Sequence, residues 1–372
     1  MGALLILSCL YTNDLALQVG IAILVDWLML AKSVLCRRHL IIHRLDKRMP
    51  NSYTQEAQFQ YAMQHDIAPC WQSRQQGYHL TLDNKRLYWC SLTAAQHNKV
   101  IVIVNGRIES AYKYQELFYD LFRQGYDIYS FDHRGQGLSE RLIADPQMGY
   151  VEQFDDYVRD MDELITRFPL QNYTQRYLLA HSMGGAITTR YLERYPNQPF
   201  DAVVLSAPML GINMPWQLRP IAFTLTKLLS ATYATPHYAP GYGAYLPKPF
   251  ATNQLTHSAV RYQWFRDLYE QQPQLKLGGP SAHWVWQSLL AIKRCFTEMK
   301  SIRLPLLLLQ AGQDTIVSNH AQTQFMTQLA RSNPQAKIEI IDGAKHELLF
   351  ESDRYRTPVL DKILAFFAQH SQ

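Results

Sequence analysis

The fold is decided by ten residues, 177–186, which read YLLAHSMGGA. Here an apolar run leads to a serine among small residues, and the sequence then continues as a helix would. This order predicts that Ser182 stands on a sharp strand-to-helix turn, where neighbours with little or no side chain are sterically required. Ala180, Gly184 and Gly185 meet this requirement, with Ala180 in place of the first glycine of the G-x-S-x-G pattern. Ser182 is therefore a candidate nucleophile.

Strand and helix patterns alternate on both sides of this turn. Continuous apolar runs predict strands at residues 100–104, 126–131, 177–180, 202–206, 304–310 and 337–341, and a β-hairpin formed by 77–82 and 87–91. Helical patterns occupy residues 154–168, 185–195, 319–329 and 358–370. This alternation predicts an α/β fold with a mostly parallel sheet and helices on both faces. Ligands bind such sheets at the carboxyl ends of the strands, where Ser182 lies.

The alternation stops between residues 209 and 300. This segment is rich in aromatic residues and prolines and has no convincing strand pattern. We interpret it as a helical cap inserted over the site, so that the core consists of residues 51–208 and 301–372. At the start of the core, residues 51–66 are predicted to form a short polar helix and residues 67–71 a loop.

Residues 1–50 form an apolar and basic segment that differs from the core. The apolar stretch 15–35 is long enough to span a bilayer, but Asp26 near its middle costs about 2.5–3.5 kcal/mol on insertion scales. A basic cluster follows, and if the stretch spans the membrane, this cluster keeps the remaining chain in the cytoplasm. Two interpretations stay open: a membrane-associating segment, or a start of translation at Met29 or Met49.

The charge distribution argues against a nucleic-acid-binding protein. The formal net charge is +5, but basic residues exceed acidic ones by three within residues 1–50 alone, so the rest of the chain is close to neutral. The five cysteines are scattered and no two form a C-x-x-C pair. No disulfide framework or zinc site is indicated, which favours a reducing compartment.

Two polar residues complete a catalytic group with Ser182. Asp314 closely follows the predicted strand 304–310, and His346 closely follows the predicted strand 337–341. Both would project from the same sheet edge as Ser182, in the chain order Ser, Asp, His that one serine-hydrolase fold uses. A serine hydroxyl is almost wholly protonated near neutral pH and needs a base. We predict that His346 takes its proton and that Asp314 fixes the histidine tautomer.

Three other residues compete for these roles. His320 is a rival base close to Asp314 in sequence, but it falls inside a predicted helix. Asp342 is a rival acid near His346, although adjacency in sequence does not by itself give the required geometry. Asp201 precedes its strand and therefore lies at the wrong edge of the sheet. We rank Asp314 and His346 first.

Two backbone amides are predicted to stabilise the oxyanion. Met183 follows the nucleophile at the start of a helix, where unpaired N–H groups and the helix dipole favour negative charge. The second donor is expected in the loop after the strand 100–104, where the backbone N–H of Arg107 is the candidate.

The loop at residues 132–137 reads DHRGQG and lacks both the P-loop and the dinucleotide-binding glycine patterns. We interpret Asp132 and Arg134 as part of an ion-pair network that braces the loops rather than as a phosphate site.

Five motifs carry a resemblance to a known family: DHRGQG at 132–137, LAHSMGG at 179–185, LTHS at 255–258, GGP at 278–280 with His283 and Trp284, and GAKHE at 343–347. In these motifs the chain resembles the bacterial lysophospholipase L2 branch of the α/β-hydrolases, near the monoacylglycerol lipases. The likeness covers residue 52 to the end. In related lipases a His-Gly pair opens the oxyanion loop, and Asn105-Gly106 stands in its place here.

The resemblance implies the α/β-hydrolase fold and hydrolysis of the acyl ester of a lysophospholipid to a fatty acid and a glycerophosphodiester. It also implies action at the cytoplasmic side of the bacterial inner membrane. The chain would be bound there peripherally or, if residues 1–50 associate with the membrane, anchored by that N-terminal segment. The implied reaction requires no metal ion or other cofactor. An aromatic cap fits an acyl chain, because each buried CH₂ contributes about 0.8 kcal/mol. The head group, the acyl length and the oligomeric state stay open.

Catalytic residues alone do not name the leaving group. A monoacylglycerol lipase, another carboxylesterase, a thioesterase or an acyl transferase would use the same three residues. A hydrolase-fold binding protein with negligible turnover is a less favoured alternative, because the predicted triad is intact. A peptidase would need an acidic or backbone site for a substrate amine, and the predicted cap has no acidic cluster.

Overall fold

One eight-stranded sheet forms the centre of the molecule. The computed structural model describes residues 53–371, apart from 215, 216, 218–220, 233 and 234. The strands are β1 (Gln75–Leu80), β2 (Arg86–Leu92), β3 (Lys99–Val104), β4 (Tyr126–Phe131), β5 (Gln175–His181), β6 (Ala202–Ser206), β7 (Leu306–Ala311) and β8 (Ala336–Ile341). The predicted hairpin and the six further predicted strands are all present.

The strand order across the sheet is β1-β2-β4-β3-β5-β6-β7-β8. β2 pairs antiparallel with β1 and with β4, and every other neighbouring pair is parallel. This confirms the predicted mostly parallel sheet. The central strands are buried on both faces, which is why their sequences read as continuous apolar runs rather than as an alternation.

Helices cover both faces of the sheet, as predicted. The longer ones are α1 (Gln115–Arg123), α2 (Phe154–Arg167), α3 (Met183–Arg194), α4 (Ala222–Thr232), α5 (Ala259–Gln271), α6 (Ala282–Glu298), α7 (Asn319–Leu329) and α8 (Asp353–Gln369). On one face, Val100, Val102 and Val104 of β3 share a buried cluster with α2 and α3. On the other face, the ring of Tyr177 stacks on Phe367 of α8, with ring centroids 4.3 Å apart.

Among the residues that the structure describes, the segment between β6 and β7 contains three longer helices, α4, α5 and α6, and no strand. α6 buries Trp284 and Cys295 in the main core beside α2 and α3. α5 instead packs Phe265 and Tyr269 against Phe350, in a second, smaller cluster. We refer to residues 209–300 as the cap segment, and its boundaries stay predictions.

The prediction of a loop at residues 67–71 is wrong, because the helical turns that begin at Glu56 continue through Gln72. Burial explains the difference. Trp71 is buried and packs edge-on against Phe118 of α1, with ring centroids 5.5 Å apart. A helical backbone is what directs this side chain toward α1, and the sequence does not reveal that contact.

The last helix, α8, begins at Asp353 rather than at residue 358, and Pro358 lies inside it. Tertiary contacts hold residues 353–357, which precede the predicted start, in the helix. The Asp353 carboxylate accepts a hydrogen bond from the Glu56 amide at 2.6 Å and one from the Arg261 guanidinium at 2.8 Å.

Within the described residues, we find no helix that combines the length and the apolar character needed to cross a bilayer. The predictions of a membrane-associating segment or of a later start concern residues 1–50 and lie outside the described part of the chain.

Candidate active site

Ser182 stands between β5 and α3 in a backbone conformation that few residues adopt. Its φ is 52° and its ψ is −116°, and a positive φ in a residue other than glycine marks a strained position of the kind found at functional sites. The Ser182 amide donates to the Ser206 carbonyl at 3.0 Å, and the Ser182 carbonyl accepts from the amides of Gly185 and Met209 at 2.9 Å each. These bonds hold the predicted strand-to-helix turn at the carboxyl edge of the sheet.

α3 approaches the end of β3 too closely for a side chain at Gly184. A Cβ there would lie 2.3 Å from the carbonyl oxygen of Val104 and 2.4 Å from that of Asn105. A Cβ on Gly185 would lie 2.6 Å from a proline in the loop after β6. Ala180, in contrast, is fully buried within β5. Its methyl group is part of the packed strand, so the absence of glycine at this position is compatible with the turn.

The imidazole of His346 connects Ser182 to Asp314. Its Nε2 lies 2.9 Å from Ser182 Oγ, and its Nδ1 lies 2.7 Å from Asp314 Oδ2. Because a carboxylate only accepts hydrogen bonds, we assign the ring proton to Nδ1, which leaves Nε2 to accept the serine proton. The structure therefore brings together the three residues singled out in the sequence, at distances suited to general-base catalysis.

The Asp314 carboxylate is held by two backbone amides as well as by the histidine. Its Oδ1 accepts from Ile316 at 2.8 Å and from Val317 at 3.0 Å. Burial by itself raises the pKa of Asp314, but the hydrogen bond and charge of His346 and the two amides outweigh it, so the pKa lies below its ordinary value. The ionised carboxylate can therefore orient the imidazole near neutral pH.

The rival residues lie outside this arrangement. His320 and Asp342 are both exposed, and His346 Nδ1 is bonded to Asp314 rather than to Asp342. Asp201 accepts from the Arg176 amide at 2.7 Å, at the amino end of β6 and away from Ser182.

The Met183 amide is the first of α3 and directly follows the candidate nucleophile. Amides of a first helical turn have no partner within the helix, so this one is available to an oxyanion. In the loop after β3, the Gly106 amide is already used, because it donates to Glu109 Oε2 at 2.5 Å. The Arg107 amide forms no hydrogen bond with another described residue. It remains the candidate for the second oxyanion donor.

The loop that carries Arg107 is strained and is held by the cap segment. Ile108 has a φ of 65°, which is a genuine outlier for a β-branched residue. The buried hydroxyl of Tyr269, on α5, donates a hydrogen bond to the Ile108 carbonyl. The cap segment therefore contributes directly to the conformation of the loop next to Ser182.

A buried lysine connects this loop to the loop that carries His346. Lys113 Nζ lies 2.7 Å from Glu109 Oε1 and 2.7 Å from Glu347 Oε1, and its side chain is 1% exposed. Burial alone lowers the pKa of Lys113, but the two carboxylates outweigh it and raise the pKa above its ordinary value. Sequence reasoning missed this cluster. The spacing of Glu109 and Lys113, typical of ion pairs on a helix, was the available signal.

Two further histidines near the site are buried and neutral. Burial lowers the pKa of His133 and of His181 to about 4. For His181 the charge of Glu109 opposes this shift and the proximity of His346 adds to it. The rings of His181 and His346 lie 4.9 Å apart. A neutral His181 keeps a second positive charge away from His346 when that base takes a proton.

Asp132 does not belong to the ion-pair network that the sequence suggested. Arg134 pairs with Asp160 at 2.5 Å and with Asp83 at 2.8 Å. The Asp132 carboxylate instead accepts the backbone amides of Ala111 at 2.7 Å and of Leu138 at 2.8 Å. The prediction for Asp132 is therefore wrong, because its carboxylate turns inward and joins two loops through their amides.

The part of the chain that the structure describes contains no candidate metal centre, since no group of three or more His, Cys, Asp or Glu side chains is arranged to hold an ion.

Sequence comparison relates the chain to lipid-cleaving hydrolases. The family model described as Hydrolase_4, Serine aminopeptidase, S33, matches residues 95–353. The chain is 39% identical over 312 residues to lysophospholipase L2 of Escherichia coli K12, an alignment that covers 81% of this chain and 89% of that protein. It is also 39% identical over 270 residues to the probable lysophospholipase L2 of Haemophilus influenzae, with 72% of this chain and 83% of that protein covered.

Comparison with solved structures identifies the fold. The crystal structure of a monoacylglycerol lipase from Paleococcus ferrophilus aligns with a TM-score of 0.61 at 22% identity, covering 77% of this chain and 99% of that one. At this level of identity the likeness shows the fold alone, which is the α/β-hydrolase fold.

Proposed function

The chain belongs to the Hydrolase_4 family of serine hydrolases, and from this premise we propose that it cleaves the acyl ester of lysophospholipids to a fatty acid and a glycerophosphodiester. The observation that carries the reaction type is the hydrogen-bonded series Ser182 Oγ, His346 and Asp314. The substrate class rests on the two relatives named lysophospholipase L2, to which the chain is 39% identical.

In the first half of the reaction, Ser182 Oγ attacks the carbonyl carbon of the ester while His346 Nε2 takes the hydroxyl proton. The negative charge that develops on the carbonyl oxygen is stabilised by the amides of Met183 and Arg107. Asp314 stabilises the imidazolium and does not itself take the proton. The tetrahedral intermediate then expels the glycerophosphodiester alcohol, which receives the proton from His346, and an acyl-enzyme remains.

In the second half, water replaces the alcohol. His346 takes a proton from the water, the resulting nucleophile attacks the acyl-enzyme, and collapse of the second intermediate releases the fatty acid and returns the proton to Ser182. The neutral state of His181 supports this cycle, because the proton on His346 then meets the ordered anion Asp314 without a second charged imidazole beside it.

The reaction is tested by fatty-acid release from lysophosphatidylethanolamine, comparing the wild type with Ser182→Ala. We expect the variant to lose roughly 10⁴-fold or more of kcat, with an unchanged far-UV circular dichroism spectrum because Ser182 lies on a turn. A matched monoacylglycerol with the same acyl chain serves as the second substrate. Preference of the wild type for the neutral lipid would favour a monoacylglycerol lipase, and release that survives in Ser182→Ala would remove this serine from the mechanism.

We further propose that the cap segment docks on the membrane that supplies the substrate, at the cytoplasmic face of the bacterial inner membrane. The support is a set of exposed apolar side chains in the cap segment: Ile221, Phe223, Leu228, Tyr242, Leu246 and Phe250. The exposed cations Lys227 and Lys248 lie among them in the sequence. Apolar side chains mixed with cations are typical of surfaces that bind anionic lipids.

Vesicles of phosphatidylethanolamine and phosphatidylglycerol test this contact by co-sedimentation with the full chain. Leu246→Glu should reduce the bound fraction, because a carboxylate resists insertion and is repelled by anionic lipid. The matched control is Leu82→Glu, which changes an even more exposed leucine on the turn between β1 and β2. Equal binding of Leu246→Glu and the wild type would refute docking through the cap segment.

A further inference from the structure

The side chain of Arg107 lies between the core and the cap segment. Its Nη2 donates to the Gly278 carbonyl at 2.6 Å, and its guanidinium carbon lies 5.2 Å from the ring centroid of Trp284 on α6. Gly149 packs against the same group so closely that a Cβ there would lie 2.9 Å from Nη2. Two loops and an aromatic ring therefore enclose this guanidinium.

The charge of Arg107 lacks an acidic partner among the residues that the structure describes. No carboxylate of the described residues forms an ion pair with it, and its buried Nε makes no hydrogen bond. Its electrostatic neighbours are the tyrosines 157, 238, 242 and 269, one of which, Tyr238, donates its own hydroxyl to Asp145 at 2.8 Å. Burial lowers the pKa of Arg107 to about 10, so the group is still a cation near neutral pH.

Arg107 is partly buried, and a cation without a counter-ion is costly to bury, because the charge loses part of its hydration and gains no opposite charge in return. Arg134, Arg261 and Arg356 show the usual solution in this chain, since each is buried and each pairs with carboxylates. Arg107 departs from that pattern. An anionic ligand would supply the missing charge.

The position of Arg107 limits which anion this can be. The residue directly follows Gly106, which packs so closely on His181 that a Cβ there would lie 3.1 Å from the His181 ring. His181 in turn directly precedes Ser182. The guanidinium therefore extends from the loop beside the candidate nucleophile toward the cap segment.

We propose that the Arg107 guanidinium binds the phosphate of the lysophospholipid head group while Ser182 attacks the acyl ester. The inference rests on the proposed function, because it assigns a substrate group to the same site. About six bonds separate the ester carbonyl carbon from phosphorus in such a lipid, and about five separate the Cα of an arginine from its guanidinium carbon. The two lengths are comparable, so one substrate is long enough to place its ester near Ser182 and its phosphate near the guanidinium.

The chemistry of the guanidinium suits a phosphodiester. Arginine presents several N–H donors in a fixed plane, which matches two oxygens of one phosphate. Of its nitrogens, Nε and Nη1 have no acceptor among the described residues, while Nη2 is used by Gly278. A monoacylglycerol offers hydroxyl oxygens to these donors but no negative charge to pair with the guanidinium. Arg107 is therefore a specificity-determining residue that favours the phospholipid over the neutral lipid.

The test compares kcat/KM on lysophosphatidylethanolamine and on a monoacylglycerol with the same acyl chain, for the wild type and Arg107→Met. A hydrogen-bonded charge pair contributes about 1.5–3 kcal/mol, so the variant should lose roughly ten- to a hundredfold on the phospholipid. The loss on the monoacylglycerol, which carries no phosphate, should be smaller than the loss on the phospholipid by a factor of about ten or more. Arg107→Lys keeps the charge and should lose less on the phospholipid than Arg107→Met.

The matched control is Arg141→Met, which removes another guanidinium bonded to loop carbonyls and should affect both substrates by the same factor. Equal losses on both substrates in Arg107→Met and Arg107→Lys would show that the side chain merely positions the loop, and would overturn the inference while leaving the proposed function intact. A wild type without activity on the phospholipid would overturn both.

A second experiment distinguishes binding of the lipid head group from binding of free phosphate. Glycerophosphoethanolamine should inhibit monoacylglycerol hydrolysis by the wild type and not by Arg107→Met. Inorganic phosphate at the same concentration should inhibit much more weakly. Equal inhibition by the two anions would indicate a general anion site and would overturn the assignment to the head group.

Discussion

Lys113 Nζ lies 2.7 Å from Oε1 of Glu347, the residue that directly follows His346. The same ammonium pairs with Glu109, whose second carboxylate oxygen accepts the Gly106 amide at 2.5 Å. One buried cation therefore connects the loop of the candidate base to the loop of the candidate oxyanion donor. Both loops must keep their positions for Ser182 to react, so we expect the site to depend on this ion cluster.

Replacing Lys113 by methionine should destabilise the protein by about 3–5 kcal/mol, because it leaves two buried carboxylates without their cation. Urea unfolding of the wild type and the variant measures the difference. The matched control is Lys276→Met, which removes a partly exposed partner of Glu270 and should cost about 0–1 kcal/mol. If both variants unfold at the same urea concentration, the cluster does not support the site.

Asp314→Asn should lower kcat by about 10⁴-fold while leaving the fold intact, because the amide can donate to His346 Nδ1 and so favours the wrong tautomer. Asp342→Asn changes the exposed rival acid and should retain wild-type kcat. Steady-state fatty-acid release measures both variants. A larger loss in Asp342→Asn than in Asp314→Asn would reverse the assignment of the acid.

Gly184→Ala should disrupt the turn that carries Ser182. The added Cβ would meet two backbone carbonyls, at 2.3 Å and 2.4 Å, and backbone cannot move aside as a side chain does. We expect a loss of about 1–3 kcal/mol or more in the free energy of unfolding, together with reduced kcat. Gly243→Ala is the control, because a Cβ there meets no atom within 4 Å. Thermal unfolding of both variants measures the difference in stability. Equal melting temperatures would contradict the close approach of α3 to the end of β3.

The sequence was informative where a feature is local. The buried strands are continuous apolar runs, and Ser182, Asp314 and His346 each lie shortly after one of them, so their meeting at one sheet edge could be predicted. The features that it did not reveal depend on contacts between distant segments. Glu347 lies far from Lys113 in the sequence, although the two side chains are in contact in the fold. No local sequence pattern marks them as a pair.

The same reason explains the errors. Asp132 and Arg134 are two residues apart, which suggested one network, but their side chains leave the loop in different directions and find different partners. Likewise, α8 begins before Pro358 because Asp353 is bonded to Glu56 and Arg261, both far away in the sequence. Helix boundaries set by tertiary contacts leave no local pattern.

His133 should make the stability of the protein depend on pH between about 4 and 6.5. Its Nε2 is bonded to the Asn105 carbonyl at 2.9 Å, and its Nδ1 is buried without a partner among the described residues. Burial therefore lowers its pKa to about 4 in the folded protein, from an ordinary value of 6.5. Between these values the unfolded chain binds a proton that the folded protein does not, so stability is full above pH 6.5 and falls as the pH falls.

His133→Asn removes this titration. The free energy of unfolding of the wild type minus that of the variant should be about 2 kcal/mol smaller at about pH 5 than at about pH 7. Urea unfolding of both proteins at the two pH values gives this difference, and other titrating groups cancel in it because they are common to both proteins. A difference that does not change with pH would mean that His133 is already protonated in the folded protein. The ring would then need a buried acceptor at Nδ1 that the described contacts do not provide.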